Sequence, residues 1–191
     1  AKKKRVPRII YLSTIGIYGE FREEIINEGS DRINLNAYGL TKYIAEQLLQ
    51  VESDIEGISL RMPGIIGKGC RGVWLPNTVE RFRHNEDVKI YSPDFQTKNF
   101  VWVEDLAKFL DKLIQMDSWK YDVINLACSQ SASVREIVME MKRLTKSSSK
   151  IIVDDSMRKS FCLDNSRALE MGYEGISPIE IVRRYIQCAS S

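Results

Sequence analysis

The sequence predicts an α/β fold, built on a parallel sheet with flanking helices. Residues 6–13 form a short apolar run rich in β-branched side chains, which is typical of a buried parallel strand. An amphipathic helix is predicted over residues 37–51, and a second strand over residues 57–62 ends at Pro63 and Gly64. This strand–helix–strand order implies a right-handed crossover between parallel strands.

The rest of the chain continues to alternate between the two kinds of element. Further helices are predicted over residues 75–84, 104–116 and 133–146 and from residue 177, and further strands over residues 87–91, 100–103 and 121–127. A serine followed three residues later by a glutamate, the capping-box spacing, marks the start of each of the last two helices. Three serines at residues 147–149 predict a loop or linker between them.

The composition is that of an ordinary soluble globular protein. Of 191 residues, 43% are hydrophobic and 28% are charged, and the net charge is +2. This charge gives no strong footprint for nucleic acid, and no apolar run reaches the roughly 18 residues of a membrane span. The basic run at residues 2–5 is predicted to be a solvated lead-in to the first strand rather than a localisation or nucleic-acid signal. We therefore expect neither a nucleic-acid partner nor a membrane.

Cysteine and histidine usage argues against a zinc site. The four cysteines are scattered without CxxC spacing, and the chain has a single histidine. Free, dispersed cysteines favour a reducing compartment, and no long apolar region near the N-terminus predicts a secretory signal. We expect a cytoplasmic protein without a metal site.

Tyr38 and Lys42 lie four positions apart in the first predicted helix, so one helical turn brings their side chains together. A free tyrosine, with an ordinary pKa of about 10, keeps its proton at neutral pH. A positive charge nearby favours the phenolate, which allows the phenol to exchange a proton with a substrate hydroxyl. A second hydroxyl must then orient the substrate oxygen, and Thr14, at the end of the first strand, is the candidate. By itself the Tyr-x-x-x-Lys spacing is weak, because many helices contain it by chance.

Six segments of the chain occur in the order and spacing of one family. They are LSTIGIYGE, AYGLTKYIAEQLL, LRMPGIIGKG, NFVWVEDLAKFL, YDVINLA and FCLDNSRALEMGY. From about residue 8 to residue 186 the chain resembles the extended short-chain dehydrogenase/reductases, specifically the NAD-dependent epimerase/dehydratase family that acts on nucleotide sugars. The resemblance implies part of a Rossmann-type parallel sheet and a smaller mixed C-terminal lobe that binds the substrate.

The resemblance also implies the roles of the site residues. Thr14 would hold the substrate oxygen, Tyr38 would be the catalytic acid/base, and Lys42 would assist Tyr38 and bind the nicotinamide ribose of NAD or NADP. Tyr38 itself also contacts the cofactor in the family. Pro63 takes the position of the turn that lines the nicotinamide site.

Several positions of the implied substrate site depart from the family pattern. Dehydratase relatives carry an acidic pair where this chain has Ile15 and Gly16, and these residues cannot transfer protons, so dehydration is disfavoured. Gly64 stands where the family often has the asparagine of Arg-x-x-Asn. Leu75 lies at the start of a helix whose N-terminus faces the diphosphate in the family, but the usual asparagine is absent.

Two further residues are candidates for nucleotide binding by the same resemblance. Tyr91 takes the position of an aromatic side chain that lies against the base. Lys98 replaces an arginine and keeps a positive charge for the diphosphate, without the bidentate fork. Each has a structural alternative, a packed tyrosine and a solvated lysine.

Residues 67–72, GKGCRG, match the dinucleotide fingerprint G-x-G-x-x-G letter for letter. The fingerprint needs a helix that begins within the glycines, so that the pyrophosphate lies on its N-terminus. Here the next helix begins close to Leu75, so the segment is predicted to be a loop bordering the substrate cleft. In relatives the fingerprint precedes the strand that corresponds to residues 6–13. The chain is therefore expected to be the C-terminal portion of an enzyme and to lack the main phosphate-binding loop. When isolated, it is expected to bind NAD weakly or not at all and to be inactive.

The leading hypothesis is an NAD(P)-dependent nucleotide-sugar epimerase or oxidoreductase, with a homodimer through the Tyr38 helix implied by the resemblance. Residues 1–65 are assigned to the C-terminal part of the dinucleotide-binding domain, with returns near residues 100–127, and residues 66–191 mainly to the substrate-binding lobe. Three alternatives stay open: a reductase of a 4-keto nucleotide sugar, a non-catalytic cofactor-sensing or scaffold relative, and an inactive fragment.

Overall fold

The computed structural model describes residues 6–154, 156 and 159–189. The basic run at residues 2–5 lies outside this part. The strands are β1 (Arg8–Thr14), β2 (Ile25–Ile26), β3 (Glu56–Met62), β4 (Gly64–Ile66), β5 (Val88–Tyr91), β6 (Gln96–Thr97), β7 (Phe100–Trp102), β8 (Val123–Asn125), β9 (Ala132–Ser133), β10 (Ile151–Asp154) and β11 (Cys162–Leu163). The helices are α1 (Ala37–Gln50), α2 (Trp74–Arg83), α3 (Val103–Gln115), α4 (Val134–Thr145), α5 (Ser166–Glu170) and α6 (Pro178–Cys188).

A parallel three-stranded sheet in the order β1–β3–β8 is the centre of the fold. The register pairs Ile10 with Ile58 and Leu60 with Ile124. Because α1 connects β1 to the parallel strand β3, it crosses over the sheet and lies on one face, as the sequence predicts. Leu49 of α1 packs directly over Gly57, where a Cβ would stand 2.3 Å from the leucine side chain.

Short strand pairs and helices form the rest of the molecule. Three parallel pairs, β2–β11, β4–β7 and β5–β10, and the antiparallel pair β6–β9 make this part mixed. One hydrophobic cluster packs α3 against β3 and β8, and another packs α2, α4 and α6 around β5. The predicted α/β class, with a parallel sheet and a mixed lobe, is confirmed.

The helix boundaries follow local signals in the sequence. Both reciprocal hydrogen bonds of the capping box between Ser133 and Glu136 are present at the start of α4. The Ser177 side chain caps α6 by accepting from the amide of Glu180. Residues 147–149 form a packed loop rather than a flexible linker, since the Ser147 and Ser149 hydroxyls are buried and hydrogen-bonded to each other at 2.8 Å. The predicted strand over 121–127 is shorter, with ladder pairing only in β8.

Two kinds of feature are absent from the described residues. None of their helices combines the length and the apolar character that crossing a bilayer requires. Within the same residues, no group of three or more histidine, cysteine or acidic side chains is arranged to hold a metal ion.

Candidate functional site

Thr14 ends β1 and begins the candidate site. Its backbone is extended, and its hydroxyl oxygen accepts a hydrogen bond of 3.1 Å from the amide of Gly16. This contact caps a short 3₁₀ turn, Ile15–Tyr18, that carries the chain away from the sheet. Ile15 is half-buried and packs against Ile17 and Tyr18, so its apolar side chain has a structural role in the turn.

Tyr38 lies in the first turn of α1, beside the 3₁₀ turn. The side chain of Asn36 caps this helix by accepting from the amide of Gly39 at 2.8 Å. A Cβ placed on Gly16 would lie 3.5 Å from Thr14 Oγ1 and 3.8 Å from Tyr38 Cδ1. Thr14 and Tyr38 therefore flank Gly16, and Tyr38 remains 56% exposed for a ligand to reach.

Lys42 extends from α1 back to the sheet. Its ammonium donates to the main-chain carbonyl of Leu12 at 2.9 Å. The same Nζ is 5.0 Å from the centre of the Tyr11 ring and 5.9 Å from the centre of the Tyr38 ring. The structure thus places Thr14, Tyr38 and Lys42 together at the carboxyl end of β1.

The other residues expected near the cofactor or the substrate lie at the turn after β3 and at the start of α2. Pro63 is buried between β3 and β4, and a Cβ on Gly64 would stand 2.8 Å from Val73 Cγ1. Leu75 is fully buried in the hydrophobic cluster around α2. Its side chain cannot face a ligand, which leaves only its backbone amide, in the first turn of α2, for that purpose.

Tyr91 and Lys98 do not line the same cavity. Tyr91 borders a cavity of about 520 Å³ whose lining includes six aromatic side chains, whereas Lys98 borders a neighbouring cavity of about 1030 Å³. The Lys98 ammonium donates to the side-chain oxygen of the buried Asn165 at 2.7 Å. Lys98 is thus half-buried with a protein partner, and its role at a diphosphate stays a prediction. The aromatic walls of the smaller cavity are Phe21, Trp74, Tyr91, Phe95, Phe100 and Phe161.

Trp74 is a residue of this aromatic cavity that the sequence analysis missed. It is 39% exposed at the start of α2, and its ring stacks on Phe100 with centroids 6.0 Å apart and planes inclined by 22°. The available signal was a tryptophan directly before Leu75, at the predicted start of the helix. Asn99 borders the same cavity and fixes its wall by donating to the carbonyl of Phe161 at 2.7 Å.

A buried ion pair lies behind the site and was also missed. Arg61 of β3 and Glu46 of α1 are 1% and 0% exposed, and Arg61 Nη2 contacts Glu46 Oε2 at 2.7 Å. Burial lowers the pKa of Arg61, but the hydrogen bonds and charges of Glu46 and Tyr18 together raise it by more, so the guanidinium remains charged. Burial raises the pKa of the Tyr18 phenol, which keeps its proton and donates to Asn125 at 2.7 Å.

Residues 67–72 form a loop between β4 and α2, as predicted. Gly69 and Gly72 adopt positive φ angles of 79° and 75°, and the helix begins only at Trp74, after the last glycine. The glycines therefore do not form the turn that places a pyrophosphate on a helix N-terminus. The loop lines a cavity of about 650 Å³ against α6 and not the aromatic cavity, so its expected place beside the substrate cleft remains without support.

Comparisons with known sequences give relatives along most of the chain. It is 28% identical over 145 residues to a putative UDP-glucose 4-epimerase of Methanocaldococcus jannaschii, covering 71% of this chain and 46% of that protein. It is also 28% identical over 161 residues to a dTDP-4-dehydro-6-deoxy-D-allose reductase of Streptomyces sp, covering 78% of this chain and 49% of that protein. The chain thus spans about half the length of the curated relatives it matches.

Solved structures share the fold at low sequence identity. The UDP-glucose 4-epimerase of Thermotoga maritima, solved with UDP-glucose, superimposes with a TM-score of 0.78 at 20% identity, covering 97% of this chain and 64% of that one. The enzyme WbmG of Bordetella bronchiseptica, in complex with NAD and UDP, gives 0.82 at 18% identity and covers 100% of this chain and 62% of that one. These likenesses establish the Rossmann-type fold.

The family itself is established by the sequence. The profile of the family described as "NAD dependent epimerase/dehydratase family" matches residues 1–127, which include β1, α1 and the whole three-stranded sheet. The match covers Tyr38 and Lys42 in the first half of α1 and Thr14 at the end of β1. This chain belongs to the NAD-dependent epimerase/dehydratase family of the extended short-chain dehydrogenase/reductases.

Proposed function

We propose that Thr14, Tyr38 and Lys42 form the proton-transfer site of an NAD(P)-dependent nucleotide-sugar epimerase or oxidoreductase. The observation that carries the proposal is their convergence at the end of β1. The Lys42 ammonium lies 5.9 Å from the Tyr38 ring centre, and a Cβ on Gly16 would lie 3.8 Å from that ring and 3.5 Å from the Thr14 hydroxyl oxygen. An exposed phenol with an ammonium one turn away is suited to acid/base chemistry on a hydroxyl.

Each residue has a distinct task in this proposal. The Tyr38 phenol exchanges a proton with a hydroxyl of the sugar, and the Thr14 hydroxyl holds that oxygen in place. The Lys42 ammonium favours the phenolate and is held in position by the carbonyl of Leu12. Ile15 and Gly16, which follow Thr14, have no group that could remove a proton, so the proposal excludes dehydration as the main reaction.

The residues present fit the nicotinamide end of a bound NAD or NADP. Tyr38 and Lys42 offer hydrogen-bond donors for ribose hydroxyls, and the buried Pro63 would close the side of the nicotinamide site. When bound, the cofactor supplies hydride transfer to or from the sugar carbon. For the diphosphate of the cofactor, the described residues contain no glycine turn that opens a helix. The loop at 67–72 has glycines, but α2 begins only after the last of them.

We place the nucleotide of the substrate in the aromatic cavity. Tyr91, Trp74 and Phe161 offer ring faces on which a base can stack. The backbone of Gly64 and the backbone amide of Leu75 would face the diphosphate near the N-terminus of α2, where an anionic group is favoured. The Lys98 ammonium, which donates to the neutral amide of Asn165, is positioned to attract an anionic group in the neighbouring cavity.

The test is turnover by the longest natural polypeptide that contains these residues. Tyr38→Phe removes only the phenol oxygen and should lower kcat by about 10²- to 10⁴-fold, with cofactor affinity retained. Tyr43→Phe is the matched control, since Tyr43 lies on the same helix with its ring beneath the Arg32 guanidinium, 4.7 Å away. Equal activity of the two variants would refute the proposed role of Tyr38.

A reductase of a 4-keto nucleotide sugar is the second candidate, and it uses the same residues. It is favoured by the Streptomyces relative, whose name is dTDP-4-dehydro-6-deoxy-D-allose reductase. Net redox change separates the two reactions. A reductase consumes NADH or NADPH in proportion to product, while an epimerase interconverts sugars with no net change in cofactor absorbance.

Cofactor binding by the 191-residue chain tests a separate part of the proposal. Because the described residues lack a phosphate-cradling glycine turn, we expect weak or no NADH binding and no turnover by this chain alone. Fluorescence titration with NADH measures it directly. A micromolar dissociation constant would show that other groups of the chain bind the dinucleotide.

Self-association through α1 is also proposed. Three apolar residues of α1, Leu40, Ile44 and Leu48, are 47%, 49% and 61% exposed and recur every four residues, so they form an apolar stripe on the outer face of the helix. Sedimentation of wild type and Ile44→Glu tests this surface. A monomer for both proteins would remove the homodimer from the proposal.

A further inference from the structure

We propose that Arg61 is a positioning residue, which fixes the turn after Thr14 relative to the helix that carries Tyr38. This inference rests on the proposed function, because it explains how the two halves of that site are held together. Arg61 contacts neither Thr14 nor Tyr38 and would act through other residues. Its guanidinium lies at the carboxyl end of β3, where it is 1% exposed.

One side of the guanidinium holds α1. Arg61 Nε is 3.2 Å from both carboxylate oxygens of Glu46, and Nη2 is 2.7 Å from Oε2. Glu46 lies eight residues after Tyr38, about two turns along the same helix. Because a helix of this length moves as a rigid unit, fixing Glu46 limits where Tyr38 can lie.

The other side of the guanidinium holds the turn. Arg61 Nη1 donates to the Tyr18 hydroxyl at 3.1 Å and to the carbonyl of Glu28 at 2.9 Å. Tyr18 is the last residue of the 3₁₀ turn that the Thr14 hydroxyl caps. Its hydroxyl then donates to Asn125 of β8 at 2.7 Å, so the turn is tied to the sheet as well.

The shape of arginine is what joins the two sides. Its planar fork has five donors, and here they reach a carboxylate, a phenol and a carbonyl at once, which a lysine ammonium could not do. Water cannot replace these bonds, since Tyr18 and Glu46 are 2% and 0% exposed. The turn and α1 meet where Gly39 lies against Gly16, so a small shift of either would separate the Thr14 and Tyr38 oxygens.

The decisive variant is Tyr18→Phe, which deletes the two bonds of the Tyr18 hydroxyl, from Arg61 and to Asn125, and leaves the ion pair between Arg61 and Glu46 intact. Its matched control is Tyr173→Phe, since Tyr173 is also 2% exposed and its hydroxyl has no hydrogen-bond partner among the residues that the structure describes. Two quantities are measured: amide NMR shifts of Gly16 and Gly39 in the 191-residue chain, and kcat and KM in the longest natural polypeptide containing it.

We expect Tyr18→Phe to move the Gly16 and Gly39 amide resonances and to lower kcat about tenfold to hundredfold, with KM within about twofold. Tyr173→Phe should change neither. Unmoved resonances in Tyr18→Phe, or equal losses of kcat in both variants, would overturn the positioning role. If wild type shows no turnover on any nucleotide sugar, the proposed function fails, and the NMR comparison still decides whether the Tyr18 hydroxyl, through which Arg61 reaches the turn, fixes the turn relative to α1.

Discussion

Gly39 lies so close to Gly16 that a Cβ on Gly39 would stand 2.3 Å from the carbonyl oxygen of Gly16. The contact joins the first turn of α1 to the 3₁₀ turn after β1. Real Cβ atoms do not approach a carbonyl oxygen to this distance. A glycine at position 39 is therefore required for the two backbones to meet, and their meeting is what brings Tyr38 to Thr14.

Gly39→Ala should consequently destabilise the protein. The overpacking penalty of about 1–3 kcal/mol exceeds the roughly 1 kcal/mol that alanine contributes inside a helix. We expect a net loss of up to about 2 kcal/mol in the free energy of unfolding, measured in urea. Gly16→Ala is the steric control, because its Cβ would have no contact shorter than 3.5 Å. Equal stability of the two variants would mean that the turns can separate without cost.

The buried ion pair predicts an asymmetry between single and double substitutions. Glu46→Leu leaves the Arg61 charge buried without its carboxylate, which should cost about 3–5 kcal/mol of stability. Adding Arg61→Met removes that charge, so the double variant should be more stable than Glu46→Leu alone. Urea unfolding of wild type and the three variants forms the double-mutant cycle.

An exposed pair provides the control for this cycle. Arg81 and Glu86 are 51% and 59% exposed with 3.4 Å between Nε and Oε2, so Glu86→Leu should cost under about 1 kcal/mol. If Glu46→Leu cost no more than Glu86→Leu, the buried pair would have no special role in holding α1 to the sheet.

Much of the fold could be predicted because its signals are local. The α1 helix has a four-residue apolar repeat, and the Ser133–Glu136 box marks the start of α4 within one turn of chain. The pairs β2–β11 and β6–β9 could not be found in this way. Each of these strands has two residues, too few to show an alternating pattern, and their partners lie far along the sequence.

In the candidate site, too, only contacts between residues close in sequence could be predicted. Tyr38 and Lys42 are one helical turn apart, so their proximity follows from spacing alone. Arg61 and Glu46 belong to different elements, and only the crossover of α1 over β3 brings them together. Tyr91 and Lys98 were expected at one substrate, but the chain around β6 alternates sides, so Thr97 and Asn99 face the aromatic cavity while Lys98 faces the other.

A pH-dependent contribution to stability is expected from Glu140, which joins α4 to α6. Its hydrogen bond with Arg143, and a second with Arg183 at 2.8 Å, lower its pKa to about 2 despite the opposing effect of burial. A carboxyl with a depressed folded-state pKa stabilises the protein above its unfolded pKa of about 4.3. That stabilisation should disappear as the pH falls from about 4.3 towards 2.

Glu140→Gln should therefore cost about 1 kcal/mol at pH 7, a value limited by the exposure of both arginines, and progressively less below pH 4. Urea unfolding of wild type and variant across this range measures the difference. Glu174→Gln is the control, because Glu174 is exposed and forms no ion pair with any described residue. A constant difference between wild type and Glu140→Gln from pH 7 to pH 3 would contradict the shifted pKa.

Trp74 should decide how strongly the aromatic cavity holds a nucleotide base. Its partly exposed ring stacks on Phe100 and borders the same 520 Å³ cavity as Tyr91, so a base entering there meets an aromatic face already held in place. Stacking of a base on such a ring contributes about 1–3 kcal/mol, which corresponds to about 5- to 150-fold in affinity. Trp74→Ala should weaken UMP or dTMP binding by that factor in calorimetric titration.

Trp74→Phe separates stacking from general damage to the cavity, because phenylalanine keeps a ring against Phe100. We expect it to recover most of the affinity that Trp74→Ala loses. Equal binding by wild type and Trp74→Ala would place the base elsewhere, with the cavity beside Lys98 as the next site to test. A loss that Trp74→Phe does not recover would instead point to a contact made by the indole itself, since the indole N–H is the donor that phenylalanine lacks.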